Sequence, residues 1–435
     1  MRVSVSTRII ADERNNYMSK FVIHGGGKIA GEVRISGMKN AATPLLAATL
    51  LTRERCVLRN VPKIRDVFRM LDILKGLGAR VEWIEDHSLV IEAVSIDSGA
   101  LLSDIVAAMR SSILLLGPLL VRAGEVEIPE PGGCIIGNRP IDTHLYALAE
   151  LGATAVRKNG KYLFQAPKLL GAVIILPEFS VTATENVLMA ACLAEGETVI
   201  KLAAAEPHVQ DLVTFLQKMG AKISGSGTHT LVVEGVKELH GAEHTLIPDQ
   251  IEIGTFAAAA AATRGSIEMY PVIPEHLDII LLKLRQIGVR CDIDGNRLRV
   301  QSEGGLRAFR LQAMPYPGFP TDLQAPFGVL ATQCNGTTLI HDPLFEGRMG
   351  YVAELVKMGA GAIVADPHRV IITGPTPLYG QQIRSLDLRA GATLVIAGIV
   401  AEGETVIDDA EVIDRGYEDL DGRLRALGVK IDRVS

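Results

Sequence analysis

Two stretches decide the fold: Met189-Ala-Ala-Cys-Leu-Ala-Glu-Gly-Glu-Thr-Val-Ile200 and Ile396-Ala-Gly-Ile-Val-Ala-Glu-Gly-Glu-Thr-Val-Ile407. Each reads as an Ala/Leu-rich helix, a small polar turn and a β-prone run. The same phrase occurs around Gly265 (AAAAATRGSIEM) and Gly336 (GVLATQCNGTTLI), and Leu119–Ile128 fits one step earlier. A second phrase keeps the same beat: LGARVEW at Gly78, LGATAV at Gly152, MGAKIS at Gly220, IGVRCDI at Gly288, MGAGAIV at Gly359 and LGVKID at Gly428. Successive copies lie roughly 70 residues apart, so six units account for the chain. The Gly of the second phrase is predicted to cap a helix in the left-handed region before a strand starts. The helix before it is amphipathic. In Val209–Met219 the apolar residues fall at helical spacing. Each unit therefore holds two helices and several short strands, and three units form one compact α/β domain.

Composition agrees. At 435 residues the chain is too long for one ordinary domain. Hydrophobic residues make up 48% and charged residues 22%, enough for a large core and too apolar for disorder. Aromatics are only 4%, so Ala, Val, Ile and Leu fill that core. A net charge of −6 argues against a nucleic-acid partner. Anionic ligands would be held by a few placed Arg and Lys residues. Five cysteines, Cys56, Cys134, Cys192, Cys291 and Cys334, show wide spacing and no CxxC. That pattern predicts a reducing, cytoplasmic setting with no disulfide framework and no zinc. No apolar run approaches the roughly 18 residues of a membrane helix, so no membrane partner is expected. Residues 1–17 lack a repeat phrase and a signal-peptide core, and are expected to be a disordered extension or a misassigned start.

Four segments break the repeat and carry ionisable residues among Gly and Pro, as binding loops do. In Ile35–Pro44, Lys39 and Asn40 open an Ala-rich helix, where free N–H groups and a Lys together suit an anion. In Pro129–His144, Cys134 lies in a loop rich in Gly and Pro, where a thiol can act as nucleophile or acid. In Pro315–Gln324, a proline run leads to Thr321 and Asp322, each a helix cap or, for Asp322, a catalytic carboxylate. Last come Arg110, Arg348, Arg389 and Arg415, each beside a turn, able to grip phosphate or carboxylate or to pair with a neighbouring acid.

Taken in order, these segments resemble the UDP-N-acetylglucosamine 1-carboxyvinyltransferases, of the EPSP synthase-like family. SGMKNAATP is similar to that family's SGxKNAALP, PGGCIIGNRPIDTH to its PGGCxIGxRPVDLH, and PYPGFPTDLQ, DLRAGATLVIAG and IDRGYEDL to its remaining signatures. The likeness spans Met18 to Val434. It implies two inside-out α/β barrels, each of three βαβαββ-type repeats, with the active site between them. One domain would combine 18–38 with 248–435, and the other would be 39–247.

The likeness also implies the chemistry. The enolpyruvyl group of phosphoenolpyruvate moves to the 3′-hydroxyl of UDP-N-acetylglucosamine, with no cofactor and no metal. Cys134 would be the acid at the enol methylene, and Asp322 would accept the sugar hydroxyl's proton. Lys39, Asn40, Arg139 and Arg415 would hold phosphoenolpyruvate. Arg110, Arg139, Pro140, Ile141, Asp142, Thr143, Ser180, Val181, Asp322 and Leu344 would line the UDP-sugar site. Arg348 and Arg389 would complete an anion shell. Cations from both halves of the chain facing one cleft predict like-charge repulsion that holds it open when empty. The sequence departs from the family at Thr182 (commonly Gly), Gly347 (Asn), Gly350 (His), Glu130 (apolar) and Thr143 (Leu). These departures bear on affinity and loop closure rather than on reaction type. They leave two alternatives: a non-catalytic UDP-sugar-binding paralogue, and the shikimate-pathway enolpyruvyl transferase, which lacks the PGGC loop.

Overall fold

The computed structural model describes residues 19–101, 106, 109–129, 137 and 140–435. The predicted glycine caps form. Gly78, Gly152, Gly220, Gly288, Gly359 and Gly428 all have φ between 90° and 107°, where a Cβ would be strained. Each is followed at once by a strand, such as Arg80–Glu85, Lys222–Ser224 or Lys430–Val434. The other phrase has one exception. Arg264, with φ 54°, takes the left-handed position that Gly124, Gly196, Gly336 and Gly403 hold in the other copies.

One wiring recurs. Strand Val173–Ile175 leads through helix Val181–Ala191 to Glu197–Lys201, then through helix Pro207–Lys218 to the hairpin Lys222–Ser224 and Thr230–Glu234. The first two strands pair in parallel, and the rest of the sheet is antiparallel. This is a βαβαββ unit. The unit starting at Arg310–Gln312 repeats it. In the unit starting at Gln382–Arg384, the fourth place is taken by the N-terminal strand Lys20–His24, which lies between Glu404–Asp408 and Lys430–Val434. A further sheet has three described strands, Glu125–Pro129, Lys161–Gln165 and Thr154–Lys158.

The remaining two units exchange their first strands. Ala30–Arg34 pairs with Ser266–Tyr270, and Glu243–Thr245 pairs with Cys56–Arg59. The chain therefore crosses out near Gly37 and returns near Pro248. The two crossings run antiparallel side by side, tied by Met38 N–H to the Ile247 carbonyl at 2.9 Å and Asp249 N–H to the Ser36 carbonyl at 3.0 Å. Asp249 also caps helix Gln250–Ala262 through Ile251 N–H at 2.8 Å and reaches Lys39 N–H at 3.4 Å. Among the described residues, strands within 56–245 pair only with one another.

The helices lie inside and the sheets outside. Every residue of Gln250–Ala262 is buried, and this helix packs with Gln324–Thr332 and Leu388–Val400. A helix that is apolar all round belongs in a core, and its alanines let neighbouring backbones approach closely. The strands alternate, as in Glu404–Asp408, where Thr405 and Ile407 are fully buried and Glu404 is exposed. No helix among the described residues is long and apolar enough to cross a membrane.

Candidate active site

The crossings set helix Lys39–Ala48 at the wall of a cleft of about 420 Å³, lined from both stretches of chain. Lys39, Asn40, Arg110, Pro140, Ser180, Val181, Asp322, Leu344, Arg348, Arg389 and Arg415 all reach it. Cys134 and Arg139 lie outside the described residues, so their expected roles carry no geometry. Of the run after Arg139, only Pro140 is on the wall. Helix Asp142–Glu150 starts here, and its turn buries Ile141 and Thr143 and exposes Asp142. Thr143 Oγ1 instead donates to Glu178 at 2.9 Å.

Two carboxylates organise the cations. Asp66, in the first turn of helix Arg65–Gly76, receives Lys39 Nζ at 3.1 Å and Arg415 Nε at 3.0 Å. Burial pushes its carboxyl up, but Lys39 and Arg415 outweigh burial and hold it below the usual carboxylate range. Asp322 receives Arg348 at 2.7 Å and Arg389 at 3.2 Å. Burial again opposes ionisation, and the two guanidinium groups hold the carboxyl well below its ordinary range. Arg389 is itself fixed by its helix start, where Asp387 caps the N–H groups of Arg389 and Ala390 at 2.7 and 3.0 Å.

These contacts decide one alternative and correct one expectation. Asp322 is not a helix cap. Helix Gln324–Thr332 has Leu323 at its cap, with no side-chain bond there. The argument for an open empty cleft also fails. Lys39, Arg348, Arg389 and Arg415 do not face each other bare, because Asp66 and Asp322 lie among them. Arg415 and Asp66 come from opposite sides of the crossings and hold the walls together.

Around these groups, the start of helix Val181–Ala191 faces the cleft, with Ser180 capping it through Ala183 N–H at 3.3 Å. Arg110 donates to the Pro140 carbonyl at 3.1 Å, two residues before helix Asp142–Glu150. Thr182 bonds His144 Nε2 at 3.1 Å, and Asn186 bonds His144 Nδ1 at 3.0 Å. The sequence reading missed Asp66, Glu185, Glu206 and His208. An acid in the apolar helix Val181–Ala191 is the one available signal for Glu185. Chemically, Lys39, Arg348, Arg389 and Arg415 outnumber the two carboxylates they pair with, so this cluster is net positive. It can take phosphate and carboxylate groups without a metal.

The chain resembles known proteins along nearly its whole length. A family model described as EPSP synthase (3-phosphoshikimate 1-carboxyvinyltransferase) matches residues 23–424. A UDP-N-acetylglucosamine 1-carboxyvinyltransferase from Koribacter versatilis is 46% identical over 420 residues, 96% of this chain and 97% of the relative. One from Treponema denticola is 44% identical over 95% of this chain and 99% of its own length. The chain belongs to this family. Among solved structures, the enolpyruvyl transferase NikO from Streptomyces tendae superposes with a TM-score of 0.88 at 26% identity, covering 96% of this chain and 99% of NikO. EPSP synthase from Acinetobacter baumannii superposes at 0.72 with 18% identity over 96% of this chain and 100% of that structure, a likeness of fold. The expected enolpyruvyl transferase fold is the one observed.

Proposed function

We infer that this protein transfers the enolpyruvyl group of phosphoenolpyruvate to the 3′-hydroxyl of UDP-N-acetylglucosamine and releases phosphate, the first committed step of peptidoglycan synthesis. The observation that carries this is the near-full-length identity of 46% to a protein of that name. The shikimate enzyme structure reaches only 18%.

The reaction adds the sugar oxygen to C2 while C3 gains a proton. The C2–O bond to phosphate then breaks, and C3 gives the proton up. We assign Lys39 and Arg415, with Asn40 and Arg139, to phosphoenolpyruvate. Arg348 and Arg389 close the anion shell. Cys134 supplies the proton to C3, since a thiol with an ordinary pKa of about 8.5 is still protonated at neutral pH. Asp322 takes the sugar proton. Its two arginine partners make it a weak base in the free protein. A bound phosphate that draws Arg348 and Arg389 away strengthens it, so basicity arrives with the substrate. The UDP-sugar runs along Arg110, Arg139, the segment 140–143, Ser180, Val181 and Leu344.

The strand segregation supports two domains, 18–38 with 248–435 and 39–247. The reaction is assigned to the cytoplasm, where phosphoenolpyruvate and nucleotide sugars are made.

A phosphate-release assay with phosphoenolpyruvate tests the reading. Release is expected with UDP-N-acetylglucosamine and not with shikimate 3-phosphate. Release with neither substrate would leave a non-catalytic binding protein, and the reverse preference would reassign the acceptor.

A further inference from the structure

The cleft has a face that the anion chemistry leaves unused. Glu185 in helix Val181–Ala191, Glu206 just before helix Pro207–Lys218 and His208 in that helix's first turn all line it. Glu185 is 2% exposed and His208 6%. Glu185 Oε1, Glu206 Oε2 and His208 Nδ1 are buried and have no hydrogen-bond partner among the described residues. The second oxygen of Glu206 is fixed, since it accepts Tyr316 N–H at 3.4 Å. Buried polar atoms are almost always paired. Three unpaired ones on one wall of one cleft are the mark of a ligand that pairs them.

The chemistry of that ligand follows from the groups. Burial pushes the Glu185 carboxyl well above its usual range, and neighbouring Glu206 pushes it further. Burial also raises Glu206, against the opposing effects of the Tyr316 N–H and His229. Burial lowers the His208 imidazole to about 4, with Asp322 opposing and His276 reinforcing. All three lean to the uncharged form. A neutral carboxyl offers one donor and one acceptor, and a neutral imidazole offers the same. An amide matches a carboxyl point for point, and a hydroxyl fits either group. An anion would find little to hold it on this wall, unlike the wall of Lys39 and Arg415.

We propose that Glu185, Glu206 and His208 form a hydrogen-bonding subsite that reads the hydroxyl and amide groups of the acceptor sugar and so sets which nucleotide sugar is used. This rests on the acceptor assigned above. A site built to pair a polar substituent rejects the analogue that lacks it, because its own groups are then left unpaired.

Calorimetric titration with UDP-N-acetylglucosamine and with UDP tests the subsite. Glu185→Ala and Glu206→Ala are each expected to weaken the nucleotide sugar about tenfold, with UDP unchanged. Glu185→Gln and Glu206→Gln are expected to stay within about threefold of the wild type, since an amide also offers a donor and an acceptor. Thermal melts establish that each variant is folded, and the Gln variants carry the test if an Ala variant is not. Ala variants that keep the wild-type preference for the sugar overturn the subsite, as do Gln variants as weak as Ala or equal losses for both ligands. Wild-type protein that binds UDP no worse than UDP-N-acetylglucosamine overturns the assigned acceptor, and the subsite with it.

Discussion

Asp66 and Arg415 stand 349 residues apart in the chain and meet Oδ1 to Nε at 3.0 Å. Lys39 closes the same carboxylate from a third element. Substituting Asp66→Asn leaves two cations facing each other beside a buried amide. We expect a loss of about 1–3 kcal/mol in denaturant unfolding, and weaker phosphoenolpyruvate binding. The folded carboxyl titrates below its unfolded value. Its contribution is therefore fully present above about pH 4 and fades as pH falls through the lower folded value. Asp66→Asn should flatten this acid limb of stability. An unchanged limb would show that the cluster contributes nothing to folding.

Asp322 sits between two arginines, and as the proposed base it would need substrate to draw them off. Asp322→Ala should cut kcat by about 10²–10⁴ while UDP-N-acetylglucosamine still binds. Because the free carboxyl is held so low, its carboxylate signal in an NMR titration should not move between pH 4 and 8. Adding phosphoenolpyruvate together with the sugar nucleotide should raise its midpoint. A midpoint near 4 in the free protein would mean the arginine clamp is absent in solution.

Cysteine reactivity should single out one residue. Burial pushes the thiols of Cys56 and Cys291 up to about 11, and those of Cys192 and Cys334 up to about 12. Such thiols are nearly inert at neutral pH. An epoxide electrophile such as fosfomycin is expected to label Cys134, with peptide mapping as the readout. Cys134→Asp should retain turnover, and Cys134→Ala should lose most of it. A Cys134→Ala protein as active as the wild type would remove the thiol from the mechanism.

Deleting residues 1–17 is expected to leave melting temperature and activity unchanged. Deleting 1–24 should unfold the sheet in which Lys20–His24 lies between two partners. A melting temperature lowered by several degrees in the shorter deletion would give the first 17 residues a structural part.

The repeat was legible because its signal is local. A glycine after an amphipathic stretch and before a β-prone run has one cheap conformation, and all six such glycines adopt it. The exception at Arg264 shows the limit, since the left-handed residue there comes one step before the glycine that the phrase aligns. Lys39, Asp322 and the arginines were legible because they sit in motifs. Asp66 was not. In RDVFRMLDILKG it reads as an ordinary first-turn acid, and only the packing of helix Arg65–Gly76 against residues on both sides of the crossings makes it the hub of the site. The exchange of first strands was implied only by the family likeness, which joins 18–38 to 248–435, because nothing in Ala30–Arg34 itself names a partner at Ser266–Tyr270.

That exchange has a consequence during synthesis. Strands Lys20–His24 and Ala30–Arg34 leave the ribosome early, yet the partners of the first, at 404–408 and 430–434, are made last and that of the second, at 266–270, only past mid-chain. The delay is on the order of tens of seconds at usual translation rates. Meanwhile the strands of 56–245 find their described partners within that stretch, and the longest wait is that of Cys56–Arg59 for Glu243–Thr245. The two early strands must wait exposed, with Phe21, Ile23 and Val33 as apolar positions that invite pairing with another chain. Both are only five residues long, and Lys20, Glu32 and Arg34 put a charge on each. Short, charged strands are poor templates for a stranger, which is what a nascent chain needs until its own C-terminus arrives.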